Sequence, residues 1–182
     1  MQFTPTPLAG AFVVDIEPRG DERGFFARAF CVREFEDHGL NARIAQTNMS
    51  TNARAGTIRG LHYQTAPALE SKFMRCIKGA IFDVIVDMRR DSATYLQWFG
   101  VELTADNNRA LFVPEMFAHG YQALADGCVV LYNASESYAP AYERGVRYDD
   151  PAVGIRWPVA VTDVSIKDRS WPSCERRETA ES

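Results

Sequence analysis

The stretch KFMRCIKGAIFDVIVDMR, residues Lys72–Arg89, decides the fold class of this chain. Apolar, branched residues run through both halves, broken by Lys78-Gly79, a pair suited to a hairpin turn, so the stretch reads as two strands joined there. In the second half Phe82, Val84, Val86 and Met88 share one face, while Ile81, Asp83, Ile85 and Asp87 share the other. Toward the N-terminus, AFVVDI (11–16), GFFARAF (24–30), RIAQTNMS (43–50) and GTIRGLHYQ (56–64) have the same character. Toward the C-terminus, WFGVELTA, RALFVPEMFAHGYQAL and CVVLYNASESYA continue the series. Only VREFEDHGL (32–40) reads as a helix, with Gly39 as its stop. Many short strands at regular spacing point to an all-β sandwich or barrel rather than a layered α/β fold.

A length of 182 residues is expected to form one domain with a core of its own. The polar segment after Trp171, PSCERRETAES, reads as a frayed end or a surface arm. A formal charge of −4 argues against a dedicated nucleic-acid binder. It leaves room for an anionic small ligand, since a few local arginines can hold a phosphate inside an acidic protein. Cys31, Cys76, Cys128 and Cys174 are far apart with no CxxC pair, which fits free thiols in a reducing cytoplasm. No apolar run approaches the roughly 20 residues that span a bilayer, and MQFTPTPLAG lacks the pattern of a signal peptide. A cytoplasmic protein with no membrane partner is therefore expected.

The chain has three histidines. His38 lies beside Asp37 and Gly39 at the end of the expected helix and reads as a solvated surface residue. His62 and His119 lie in the apolar contexts GLHYQ and FAHGY, where a hydrogen-bonded core histidine is the default for either one alone. Taken with Arg59, Lys72 and Tyr132, they point to a polar pocket inside a β-barrel. No HxH or HxxxH spacing is present, so a metal site would need an unusual carboxylate-rich set, and no metal is expected. Without one, histidine as base, tyrosine as acid and a cation beside a developing oxyanion suit proton abstraction next to a carbonyl. Hydrolytic and dinucleotide-binding motifs are missing, which leaves a redox cofactor unsupported.

Six segments then carry a resemblance. RGFFARAF, QTNMSTNARAGTIRGLHYQ, KFMRCIKGAIFDVIVDMRRDSATY, FVPEMFAHGYQAL, YERGVRYDDPAVGIRWP and SIKDRSWP occur in an order similar to that of the dTDP-4-dehydrorhamnose 3,5-epimerase family. The likeness spans about residues 11–172. It implies a cupin-like jelly roll, a β-sandwich barrel with a few short helices. It also implies a homodimer, no metal, no organic cofactor, and a nucleotide-diphosphate 4-keto-6-deoxy sugar as substrate.

Carried over position by position, the resemblance makes His62 the base that removes a proton next to the C4 ketone and Asp168 its carboxylate partner. Tyr132 becomes the acid on the opposite face, although a core tyrosine with a satisfied hydroxyl competes with that role. Lys72 becomes the cation on the enolate oxygen, and His119 a supporting pocket residue. Arg23, Phe26, Gln46, Asn48 and Arg59 fall where the family holds the nucleotide, with Tyr138 near that end. Phe26 also suits a plain core position. In a regular strand Arg59 would face away from Ile58, Gly60 and His62. Either a bulge at Gly60 swings it inward, or it works from an edge or a partner subunit.

Two residues depart from the family pattern: Arg28 stands where an acidic residue is usual, and Met116 where a glycine is usual. The first bears on which nucleotide is accepted, the second on the pocket beside His119. Inversion at C3, C5 or both stays open at this point. So do a single-centre epimerase or keto-isomerase on a related sugar nucleotide, and a catalytically silent sugar-binding jelly roll.

Overall fold

A computed structural model describes residues 1–175. In chain order the first elements are β1 (Gln2–Pro5), β2 (Phe12–Asp15), β3 (Arg19–Asp21), β4 (Gly24–Phe26) and α1 (Val32–Asp37). The central strands are β5 (Gln46–Asn52), β6 (Thr57–Gln64), β7 (Lys72–Lys78), β8 (Ala80–Asp87) and β9 (Trp98–Thr104). Then follow β10 (Ala110–Val113), β11 (Phe117–Ala123), β12 (Cys128–Ala134), β13 (Glu143–Gly145), β14 (Asp163–Val164) and α2 (Ile166–Arg169). Two sheets form a sandwich: one ordered β1-β2-β10-β7-β12-β5, the other β13-β6-β11-β8-β9, with β14 added parallel to β6. β3 and β4 make a separate hairpin. The expected all-β jelly-roll class is the observed one.

The hairpin expected at Lys78-Gly79 is not formed. β7 pairs with β10 and β12 in the first sheet, whereas β8 pairs with β9 and β11 in the second. Gly79 is the corner at which the chain changes sheets. Its φ is +74°, and a Cβ there would sit 3.0 Å from Cys128 Cβ, so a small residue is required on two counts. The alternation along β8 holds. Ile81 and Ile85 join Met74, Leu111 and Val130 between the sheets. Val84, Val86 and Met88 pack outward against Val146, Val153 and Trp157. Both faces of β8 are covered, so its near-continuous apolar run is explained.

A third apolar cluster joins Phe35 of α1 to Phe73 and Phe112 on the outer face of the first sheet. Gly39, at φ +68°, ends that turn as expected, and His38 is exposed, stacked 4.0 Å from the Phe3 ring. The strand expected over GFFARAF is confined to Gly24–Phe26. The segment after Trp171 is not frayed at its start: Cys174 donates its backbone N–H to Asp150 Oδ2 at 2.6 Å and packs on the outer cluster. The rest of that tail, residues 176–182, lies outside the described residues. No helix among the described residues is long and apolar enough to cross a membrane.

Candidate active site

A cavity of about 330 Å³ opens between the sheets, walled by Arg59, His62, Lys72, His119, Tyr121, Tyr132 and Asp168. A second lobe of about 320 Å³ continues from it, lined by Gln46, Asn48, Glu70, Tyr138 and Glu143. His62, Lys72 and Tyr132 line both lobes. They stand on β6, β7 and β12, so the histidine rises from one sheet and the tyrosine and lysine from the other.

The Arg59 question is answered by register. His62 pairs with His119 and Arg59 with Tyr121, so three steps along β6 match two along β11. This is a bulge at Gly60, whose φ is +107° and whose missing Cβ leaves room for His119 O, 2.6 Å from where it would lie. The extra residue brings Arg59 and His62 to the same cavity. Arg59 is held there by Asn52 Oδ1 at 2.8 Å and Thr51 O at 3.0 Å. Asn52 in turn donates to Tyr121 Oη at 3.2 Å, and Tyr121 shares a 2.7 Å hydrogen bond with Ser50.

Two histidine–carboxylate pairs flank this bulge. His62 Nε2–H donates to Asp168 Oδ1 at 2.6 Å, and Gly60 N–H reaches Asp168 Oδ2 at 3.2 Å. Asp168 comes from α2, whose first turn is capped when Ser165 Oγ accepts the Asp168 N–H at 3.0 Å. Burial by itself would raise the Asp168 carboxyl, but hydrogen bonds from His62 and Gly60 and the His62 charge hold it below its ordinary value. It is ionised at neutral pH. That fixes the proton of a neutral His62 on Nε2 and leaves Nδ1 with the free lone pair, 4.0 Å from Glu143 Oε1. The second pair, His119 Nε2 to Asp83 Oδ1 at 2.7 Å, lies deeper.

Burial, and after it the Glu70 carboxylate, raises the Tyr132 phenol above its usual value, against the opposing pull of Arg59. Tyr132 therefore carries its proton across the neutral range. Its hydroxyl makes no hydrogen bond among the described residues, so the competing picture of a satisfied core tyrosine is not the one observed. Lys72 forms an ion pair with Glu70 at the seam of the two lobes. At the outer lobe Glu143 accepts from Lys167 Nζ at 2.6 and 2.7 Å and from Tyr138 Oη at 2.8 Å. Its carboxyl, which burial would raise, is lowered by Lys167 and then Tyr138.

Arg23 and Phe26 are not brought to this cavity. Both sit on the exposed β3–β4 hairpin, where Arg23 pairs with Asp21 at 2.5 Å and Phe26 is 76% exposed. Phe26 is thus not a core residue. With Arg28 it lines a separate hollow of about 470 Å³, whose walls include neither a histidine nor a tyrosine. Arg28 pairs there with Glu34 at 2.9 Å. Met116 lines neither lobe. It occupies the left-handed conformation at φ +61°, so its departure from glycine is felt in the backbone and not as a reshaped pocket.

Asp83, Glu143 and Lys167 were not singled out from sequence. Asp83 had a signal, a carboxylate in the inward register of an apolar strand. Ser165-x-x-Asp168 also carries the mark of a helix start. Among the described residues no three His, Cys, Asp or Glu side chains converge to hold a metal ion.

A histidine braced by a buried carboxylate, a protonated tyrosine on the facing sheet and two cations define a site for moving protons on a bound molecule, the equipment of an isomerase. The chain belongs to the dTDP-4-dehydrorhamnose 3,5-epimerase family, whose family model matches residues 5–176. It is 44% identical over 173 residues to the dTDP-4-dehydrorhamnose 3,5-epimerase of Methanothermobacter thermautotrophicus, covering 93% of this chain and 92% of that one. It is also 36% identical over 170 residues to a dTDP-4-dehydrorhamnose 3-epimerase from Streptomyces niveus, covering 93% and 82%. The structure superimposes with a TM-score of 0.91 on the 3,5-epimerase of Bacillus anthracis solved with TDP and PPi bound, at 40% identity and with 95% and 99% of the two chains covered.

Proposed function

We propose that this protein epimerises a dTDP-linked 4-keto-6-deoxy hexose, taking a proton from a carbon beside the ketone on one face and returning one on the other. The observation that carries this reading is the placement of His62 and Tyr132 on opposing sheets of one cavity. His62 Nδ1 accepts the proton as the C–H bond breaks, and the electron pair moves into the C4 oxygen to give an enolate. Asp168 stabilises the imidazolium that forms at His62. Lys72, kept in place by Glu70, and Arg59 stabilise the oxyanion. Tyr132 then delivers its proton to the opposite face of the carbon and is reprotonated from solvent while His62 loses the proton it took.

Gln46, Asn48 and Tyr138 in the outer lobe would receive the nucleotide, and Lys167, which lines the inner lobe and bonds Glu143 of the outer one, offers a cation for its diphosphate. His119 lines the inner wall and would support the sugar. Arg23 and Phe26 can serve that ligand only from a second copy, which fits a homodimer. The outward face of the first sheet supports such an assembly, since Met49, Ile77 and Leu131 are exposed on it. The four cysteines are free, as suits a reducing compartment such as the cytoplasm.

Epimerisation at both C3 and C5 is the first reading, and the 3-epimerase relative supports a single-centre enzyme as the second. Incubation in deuterated water with dTDP-4-keto-6-deoxyglucose, followed by proton NMR, separates them. Deuterium at C3 and C5 supports the double epimerase, and deuterium at one carbon supports the single-centre enzyme. No exchange with thymidine, uridine or guanosine donors would leave a silent binding module.

A further inference from the structure

We infer that Trp171, wedged into a notch over Gly145, is a positioning residue that holds the His62–Asp168 pair in register. The inference rests on the reading of His62 as the base. α2 is only four residues long and cannot hold its own shape, so the placement of Asp168 depends on what grips the chain around it. Upstream the grip is the Ser165 cap and the short parallel pairing of β14 with β6. Downstream it is Trp171. Gly145 of β13 stands opposite His62 of β6, and the indole lies directly on it. A Cβ at Gly145 would come within 2.2 to 2.4 Å of three indole atoms, Cε2, Nε1 and Cδ2. Glycine is therefore demanded there by space, to admit this one side chain.

From the notch the indole meets the His62 ring edge-on, with centroids 6.1 Å apart and planes at 66°. Lys167 Nζ lies 5.9 Å from the same indole, closing it from another side. Three residues further on, the 2.6 Å bond from Cys174 N–H to Asp150 Oδ2 fastens the chain again. Trp171 lines neither lobe of the cavity, so it bears on the His62 ring from outside the space open to a substrate. Its Nε1 is buried without a partner, so the residue is placed there for the shape of the ring and not for a hydrogen bond. The wedge fixes the imidazole and the carboxylate-bearing turn together, in the geometry from which the proton is taken.

The test compares Trp171→Ala, Trp171→Phe, Gly145→Ala and the Gly145→Ala/Trp171→Ala double variant in the full chain. Thermal melting reports folding, kcat and KM are measured separately, and the imidazole N–H resonance of His62 is followed in protein carrying 15N-histidine. For Trp171→Ala and Gly145→Ala, kcat should fall on the order of 10- to 100-fold, as expected when a reacting group is displaced by about an ångström. KM should move little, and the His62 resonance should shift or broaden. Trp171→Phe, which keeps a ring and the fold, should lose less kcat in the same manner. The double variant should be no worse than the poorer single, because an added methyl in an emptied notch displaces nothing.

Wild-type kcat and an unchanged resonance in the single variants would overturn the inference. So would losses that appear chiefly in KM, or that multiply in the double variant. His62→Ala measured alongside separates the two ideas. If it keeps its turnover, the assignment of the base falls; if it is dead while the Trp171 and Gly145 variants are normal, only the wedge falls.

Discussion

The two histidine–carboxylate pairs have nearly the same hydrogen bond, 2.6 Å for His62–Asp168 and 2.7 Å for His119–Asp83, yet they are placed very differently. The His62 side chain is 31% exposed to the cavity, whereas that of His119 is 6% exposed and Asp83 is fully buried. Asp168 has both oxygens occupied, by His62 and by Gly60 N–H, while Asp83 Oδ2 is buried with no partner. A pair that works as a base needs an open nitrogen and a carboxylate held by more than the histidine itself. The first pair meets both needs. The second shows only the edge of His119 at the inner wall of the cavity and keeps Asp83 wholly inside the core, where a missing partner is costly and a proton has little room to leave.

The largest expected effect lies at the first pair. His62→Ala should abolish solvent exchange and inversion together, a loss of about 10²- to 10⁴-fold or more, since the proposed general base is removed. Asp168→Asn keeps the shape but offers an amide in place of a charge. Turnover should fall on the order of 10³-fold, and the melting temperature at neutral pH should drop modestly as the stability carried by the ionised carboxylate is lost. Wild-type-like rates in either variant would remove the pair from the chemistry.

At the second pair the balance should reverse. Asp83→Ala leaves the buried His119 nitrogen without its partner and should cost about 1–3 kcal/mol of stability, read from denaturant unfolding. If Asp83→Ala instead melts like the parent and loses only activity, the two pairs are functionally alike and the contrast fails.

Acid sharpens the same comparison. The Asp168 carboxyl is lowered in the folded chain, so its stabilising contribution is fully present above the ordinary carboxylate value near about 4. It is lost as pH falls through the lower folded value. Asp168→Asn should therefore flatten the loss of stability in that acid range. A profile identical to the parent below about 4 would show that Asp168 is not held by His62 in solution.

The smallest effect is expected away from both pairs. Met116 sits at φ +61°, where a side chain is strained, and donates nothing to the cavity wall. Met116→Gly should raise stability by roughly 0.5–1 kcal/mol, the relief of left-handed strain less the entropy that glycine adds to the unfolded chain. Kinetic constants should stay the same. A changed KM would place this loop in the site after all.

Most strands were legible because alternation and branched residues mark a half-buried or fully buried ladder directly. What pairs with what was not. Lys78-Gly79 has the chemistry of a turn, but a left-handed glycine serves a change of sheets as well as a hairpin, and local sequence does not distinguish them. The bulge at Gly60 was visible only as a conflict, Arg59 and His62 being wanted on one side of a strand that should have separated them. Register with β11 resolved it. His62, Lys72, Tyr132 and Asp168 were nameable because motif resemblance linked residues that lie far apart in the chain. Asp83 and Glu143 escaped because a lone carboxylate acquires meaning only from the partner that packing brings to it. Arg23 and Phe26 were named for the nucleotide, and both lie on the exposed β3–β4 hairpin away from the cavity, a placement that only the path of the chain reveals.

The central claim, two proton carriers on opposing faces of one bound sugar, is tested most directly by Tyr132→Phe in deuterated water with dTDP-4-keto-6-deoxyglucose. With the acid gone and the base kept, recovered substrate should carry deuterium at the exchanged carbon with its configuration retained, because His62 can return only to the face from which it took. Inverted sugar formed at the parent rate would contradict the account.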